Sequence, residues 1–147
     1  MSELVPSQTV LVLDTSVLIK WLRQGEILAE QALALRDAYL KGEVAISVPS
    51  LVAYELANVM RYKEDLSTEQ VQEAVGSLFD MGLEWSIPSV ELISRAIEIA
   101  RRYGTTFHDA TFAALAESTD ALLITAEERL AGLLETLAFV RFLGQLA

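Results

Sequence analysis

Val10-Leu11-Val12-Leu13-Asp14-Thr15-Ser16 decides how the rest of the chain reads. Four apolar residues run without alternation and stop at a carboxylate. An unbroken Val/Leu run suits a strand buried on both faces, as in a parallel sheet. Asp14 then stands at the carboxyl end of the strand, where open α/β sheets hold their ligands. Thr15 and Ser16 follow, and either hydroxyl fits the cap of a helix that Val17-Leu18-Ile19 begins. Two readings of Asp14 stay open here: a site residue, or a turn and capping residue only.

The same unit returns along the chain. The pattern predicts a short helix over 17–22, broken at Gly25, and a second over 26–41 with Leu28, Ala32, Leu35 and Tyr39 near one face. Gly42 sits where a helix-ending glycine belongs. Residues 44–48 read as a strand. Pro49-Ser50 opens a helix from 51 to 62 or 63, with Ser50 as its cap. Ser67 and Gln70 match the capping box of a helix running to about Met81. A short strand lies within 83–87. The helix over 89–103 has Leu92, Ile93, Ala96, Ile97 and Ala100 as its apolar stripe. Helix 108–117, buried strand 121–124, helix 127–134 and an edge strand over 138–143 complete the chain. Short apolar strands alternating with helices predict βαβ units with right-handed crossovers. The expected fold is a three-layer α/β/α domain over residues 1–147, with a central, mostly parallel sheet of four to five strands.

Composition narrows the chemistry. The chain has 147 residues, no cysteine and one histidine. Disulfides, thiolate zinc sites, cysteine nucleophiles and sites of several imidazoles are excluded. No stretch approaches the roughly 18 unbroken apolar residues of a membrane span, and the N-terminus lacks signal-peptide character. A cytoplasmic location without membrane contact is the expectation. The net charge of −10 repels polyanions at long range. Any action on nucleic acid needs a local basic patch or cations held by the chain's own carboxylates.

Four acids stand where such cations could be held. Glu55 falls three residues after Val52 and four before Val59, inside the apolar stripe of its helix. An ionised carboxylate there needs a partner. A buried Arg or Lys pair and a metal site are both open, and the shortage of basic residues (11 in all) favours the site. Asp109 opens the helix containing Ala110-Thr111-Phe112-Ala113-Ala114-Leu115-Ala116, whose small side chains imply tight packing on the sheet. A favourable helix-dipole position would also explain Asp109. Thr125-Ala126-Glu127-Glu128 follows the strand over 121–124, repeating strand, hydroxyl and acid. Thr125 and Glu128 as an ordinary capping pair is the competing reading. In a parallel sheet all four acids can converge on one rim. Clustered carboxylates raise each other's pKa unless a cation is present. Oxygen ligands with no Cys select hard ions such as Mg²⁺ or Mn²⁺, which commonly act on phosphate groups.

At this point the residues resemble a family. The segments 13–21 (Leu-Asp-Thr-Ser-Val-Leu-Ile-Lys-Trp), 54–59 (Tyr-Glu-Leu-Ala-Asn-Val), 108–117 (His-Asp-Ala-Thr-Phe-Ala-Ala-Leu-Ala-Glu) and 123–130 (Leu-Ile-Thr-Ala-Glu-Glu-Arg-Leu) together resemble the PIN-domain ribonucleases. The nearest branch is the VapC-type toxins of toxin–antitoxin pairs. The match spans nearly the whole chain in family order and spacing. The resemblance implies Mg²⁺- or Mn²⁺-dependent endonucleolytic cleavage of RNA by metal-activated water. Asp14, Glu55 and Asp109 match the three central acids. The fourth is usually Asp in a Thr-Ala-Asp sequence, and Glu127 stands there instead. Thr15, Ser16 and Thr125 match supporting positions. The resemblance also implies a homodimer and a cognate antitoxin lying over the active-site groove. The RNA would be single-stranded at the cut, since an A-form duplex cannot easily present its backbone inside such a rim.

Lys20, Arg23, Arg61, Lys63, Arg101 and Arg102 are candidate RNA contacts, each with an ordinary solvated helix face as its alternative. Trp21 could stack on a base or serve a core or dimer interface. His108 could touch a phosphate, or cap and support. The Leu-rich helix faces at 27–40 and 50–62 could serve a dimer or an antitoxin, although an apolar stripe usually means core. Two other functions compete. An aspartate-nucleophile phosphatase using Asp14 would want a second Asp where Ser16 stands. A degenerate PIN module would bind RNA or a protein partner without cutting.

Overall fold

In the computed structural model of the protein, which describes residues 8–146, the opening run becomes β1 (Thr9–Leu13). Leu11, Val12 and Leu13 are all buried. Successive strand residues point to opposite faces, so both faces of β1 are covered. The following elements are α1 (Thr15–Leu22), α2 (Ala29–Leu40), β2 (Val44–Pro49), α3 (Leu51–Met60), α4 (Thr68–Asp80) and β3 (Glu84–Ser86). Then come α5 (Val90–Tyr103), α6 (Phe107–Ser118), β4 (Leu122–Thr125), α7 (Glu128–Leu133) and β5 (Val140–Phe142). The sheet has five strands in the order β3-β2-β1-β4-β5, and every pairing is parallel. Helices flank it, giving the α/β architecture expected, with the parallel character complete rather than partial.

Several element boundaries differ from expectation for identifiable reasons. α1 begins at Thr15, and neither Thr15 nor Ser16 caps it. Asp14 is the cap, its carboxylate accepting from the Val17 N–H at 3.3 Å. α2 begins at Ala29 rather than 26. The chain first makes a tight turn, with Gly25 at φ +80° and Leu28 at φ +63°. Glu26 is drawn back there onto Arg23 and Lys20. Ser50 does not cap α3; its backbone is already helical, at φ −56° and ψ −23°. Ser67 and Gln70 do form the reciprocal capping box of α4. On α5 the buried stripe is Leu92, Ala96 and Ile99, while Ile97 is turned outward. β5 spans three residues rather than the six expected.

α6 positions the site. Every residue from Ala110 to Ala116 is buried. Its alanines let the helix lie close on β1, β2 and β4. Thr106 caps it, accepting from the Asp109 N–H at 3.0 Å. That fixes the first turn, and Asp109 with it, beside the strand ends. Among the described residues no helix is long and apolar enough to cross a membrane.

Candidate active site

Asp14, Glu55, Asp109 and Glu127 line one cavity of about 210 Å³ at the carboxyl ends of the strands. Thr15, Ser16, Ile19, Val59 and Phe112 complete the lining. Each acid arrives by a different route. Asp14 caps α1 directly after β1, and Glu55 projects from α3 after β2. Asp109 stands in the first turn of α6, and Glu127 is the residue before α7, after β4.

Asp14 is 3% exposed. Burial pushes its carboxyl up from an ordinary 3.8 to about 7. Hydroxyl hydrogen bonds from Ser16 and Thr125 oppose that rise, and the charges of Glu127 and Asp109 add to it. Burial also raises Glu55, with the Thr15 hydroxyl and His108 pulling the other way. The Thr15 hydroxyl donates to Glu55 Oε1 at 2.8 Å, and His108 Nδ1 lies 3.6 Å from Glu55 Oε2. So the Glu55 partner is neither arginine nor lysine; it is a hydroxyl and an imidazole at the rim. Glu127 is raised by its partial burial and by the charges of Asp109 and Glu55. No lysine or arginine lines the cavity. The acids therefore feel one another with little neutralisation, as clustered carboxylates without a cation do. The donor set is oxygen throughout, the hard-ligand type that suits Mg²⁺ or Mn²⁺. Among the described residues, no three acidic or histidine side chains stand close enough together to grip one ion directly.

The supporting residues tie the rim together. Ser16 donates to Asp14 Oδ1, and its oxygen accepts from the Ala126 N–H at 2.9 Å. Thr125 is fully buried and accepts from the Glu127 N–H at 3.1 Å. It orients the loop after β4 rather than capping α7 as a pair with Glu128. Ser16→Ala removes a link between the ends of β1 and β4 and leaves the Ala126 N–H unpaired. The expected cost is about 2 kcal/mol, a drop of several degrees in melting temperature, read by calorimetry at neutral pH.

Of the candidate RNA contacts, Lys20 and Arg23 are already engaged. Lys20 lies 3.6 Å from Glu26, and Arg23 joins Glu26 to Asp65, 2.9 Å away. Arg61 hydrogen-bonds Asn58 and lies over the Tyr62 ring. Arg101 and Arg102 are exposed on the last turn of α5, and Lys63 is half-buried; none of these lines the cavity. Trp21 is buried, its indole N–H bonded to the Ala32 carbonyl, so it is a core residue. The α3 stripe buries Val52, Leu56 and Met60, but Val59 is 37% exposed and faces the cavity. On α2 only Ala32 is fully buried, with Leu33 and Leu40 outward. Ile19, Val59 and Phe112 were missed as lining. Each lies three or four residues after a site residue on the same helix (Thr15, Glu55, Asp109), and that spacing puts them on one side.

Residues 11–133 match the family model described as PIN domain. Solved structures share the fold. Protein PAE2754 from Pyrobaculum aerophilum superposes with a TM-score of 0.66 at 17% identity, covering 94% of this chain and 93% of its own. Mycobacterium tuberculosis VapC20, a sarcin–ricin loop cleaving toxin, gives 0.66 at 13% identity, covering 83% of this chain and 93% of its own. The Rickettsia felis VapBC2 complex, bound to a promoter DNA fragment, gives 0.65 at 18%, covering 91% and 97%. At these identities the likeness is one of fold. No curated protein matches the chain by sequence.

Proposed function

The chain belongs to the PIN-domain family, and from that membership we propose that it is a divalent-metal-dependent endoribonuclease cutting single-stranded RNA, the VapC-type toxin of a toxin–antitoxin pair. The observation that carries the reading is the gathering of Asp14, Glu55, Asp109 and Glu127 on one cavity whose lining holds no lysine or arginine. Such a cluster repels a phosphodiester unless cations come with it. Asp14, Glu55 and Asp109 would hold one Mg²⁺ or Mn²⁺ partly through the waters such an ion keeps, with Glu127 serving a second ion or the water. When bound, the ion supplies Lewis acidity: it eases proton loss from water and offsets charge growing on the phosphoryl oxygens.

The chain's own residues do the rest. Ser16 and Thr125 favour the ionised form of Asp14 and aim it into the cavity. Thr15 holds one oxygen of Glu55. Ile19, Val59 and Phe112 form an apolar wall that keeps solvent from screening the acids. Glu127 extends one C–C bond further than the family's Asp. The partners under this reading are RNA, a second copy of the chain and a cognate antitoxin, in the cytoplasm. The fold likeness to toxin–antitoxin complexes supports the antitoxin.

A second reading has two observations behind it: among the described residues no three of the acids stand close enough to grip one ion directly, and the fourth is Glu. Under it the chain binds RNA or a protein without cutting. One experiment separates the two. Mn²⁺ is titrated calorimetrically into the protein, and a random single-stranded RNA pool is then incubated with Mg²⁺, with Mn²⁺ or with EDTA. Saturable binding and cleavage stopped by EDTA are expected. Binding without cleavage of any pool member would favour the second reading, and a folded protein that binds no Mn²⁺ would sink the metal site.

A further inference from the structure

We infer that a second cavity beside the acidic one is a nucleobase subsite, which receives the unstacked base of a nucleotide flanking the phosphate at the acids. The inference rests on the nuclease reading above. The cavity holds about 230 Å³ between the starts of α3 and α6 and the first turn of α5. That is below the roughly 300 Å³ at which pockets for drug-sized ligands begin, and it suits one flat heterocycle. Tyr54 and Phe107 offer aromatic faces, and Leu92, Ile93 and Pro88 form the apolar bed. No carboxylate, lysine or arginine lines it. In a chain of net charge −10, that makes it a place for the neutral part of a nucleotide rather than its phosphate.

Its position relative to the acids is the second observation. The two cavities share a wall built from consecutive residues. Tyr54 lines one and Glu55 the other, and likewise His108 and Asp109. His108 Nδ1 lies 3.6 Å from Glu55 Oε2, so a single side chain separates the sites. A base seated there belongs to a nucleotide next to the one whose phosphate meets the acids. Tyr54 is 77% exposed and Phe107 38% exposed. Large aromatic groups left open to water beside an acidic site are what base stacking uses, and stacking tolerates any base. Ser50 and Ser86 add a hydroxyl-bearing edge to the wall, while the Thr111 hydroxyl is held by the Phe107 carbonyl at 3.0 Å.

The test needs neither metal nor cleavage, so its failure is separate from failure of the nuclease reading. Adenosine, uridine and, as the base-free control, ribose are titrated into the full chain, and the methyl NMR signals of Leu92, Ile93 and Thr111 are followed. Both nucleosides are expected to shift these signals saturably, and ribose to leave them in place. Phe107→Ala and Tyr54→Ala should each weaken the response about tenfold, while Tyr54→Phe keeps it. Both positions are exposed enough that the variants stay folded. Three outcomes would overturn the inference: no shift with either nucleoside, equal shifts with ribose, or shifts that follow protein concentration alone, which would mean a second copy covers the cavity.

Discussion

Asp14→Asn is expected to make the metal-free protein more stable at pH 7.5 and to abolish RNA cleavage. The carboxyl of Asp14 titrates at about 7 in the folded chain against an ordinary 3.8. The folded state therefore holds this proton more tightly than the unfolded one. The associated stability is fully present below about pH 4 and is lost as pH rises through 7. At pH 7.5 the buried charge costs on the order of 4 kcal/mol relative to the protonated form, as an upper figure. Asn keeps the shape and cannot ionise, so the variant should not show this loss. Thermal melts from pH 4.5 to 8 check it. The two curves should diverge steadily from about pH 4 to 7, with the variant higher, and run parallel above that. Added Mn²⁺ should raise the melting temperature of the wild type and leave the variant unmoved, since binding to the native state alone stabilises it. A variant that melts below the wild type at every pH would mean that Asp14 serves the fold as a cap and nothing more.

Asp109→Asn is expected to leave the fold intact and cut Mn²⁺ affinity and RNA cleavage by about 100-fold or more; supporting residues around a metal already account for 10- to 100-fold. The helix does not need this carboxylate. Thr106 caps α6 through the Asp109 backbone N–H, which Asn retains. The acid site does need it: the charge of Asp109 contributes to the raised pKa of Asp14, Glu55 and Glu127 alike. Its removal should lower all three towards their ordinary values and shift the acidic limb of any pH–rate profile downward. Calorimetry with Mn²⁺, circular dichroism and a cleavage assay at matched concentration measure the three parts. Undiminished Mn²⁺ affinity in a folded variant would remove Asp109 from the metal site.

The sheet was legible in the sequence because β1 and β4 are buried on both faces, and such strands show as unbroken Val, Leu and Ile runs. Helix starts were legible where a local hydroxyl does the capping, as Ser67 and Ser89 do. The turn before α2 was not, because distant charges shape it: Arg23 reaches both Glu26 and Asp65, the latter 42 residues on. The acids could be found from their places after strands and in a first helical turn. Their partners could not. Thr15 meets Glu55 across 40 residues, and Ser16 meets Ala126 across 110. The outward turn of Val59 was hidden for the same reason, since only the assembled cavity gives it a reason to face away from the core.

The strand order has a consequence in time. β1 is first in the chain yet central in the sheet, and its β4 neighbour pairs Leu11 with Leu122. Contacts of such long sequence separation form late, because a large loop must close before they repay it. During synthesis the first carboxylate emerges long before the last, and Asp14 gains its Ser16–Ala126 tie only once the β4 segment has left the ribosome. The nascent chain thus carries its acids unassembled while the message that encodes it is still being read. Any activity that depends on the four together begins only with the finished sheet.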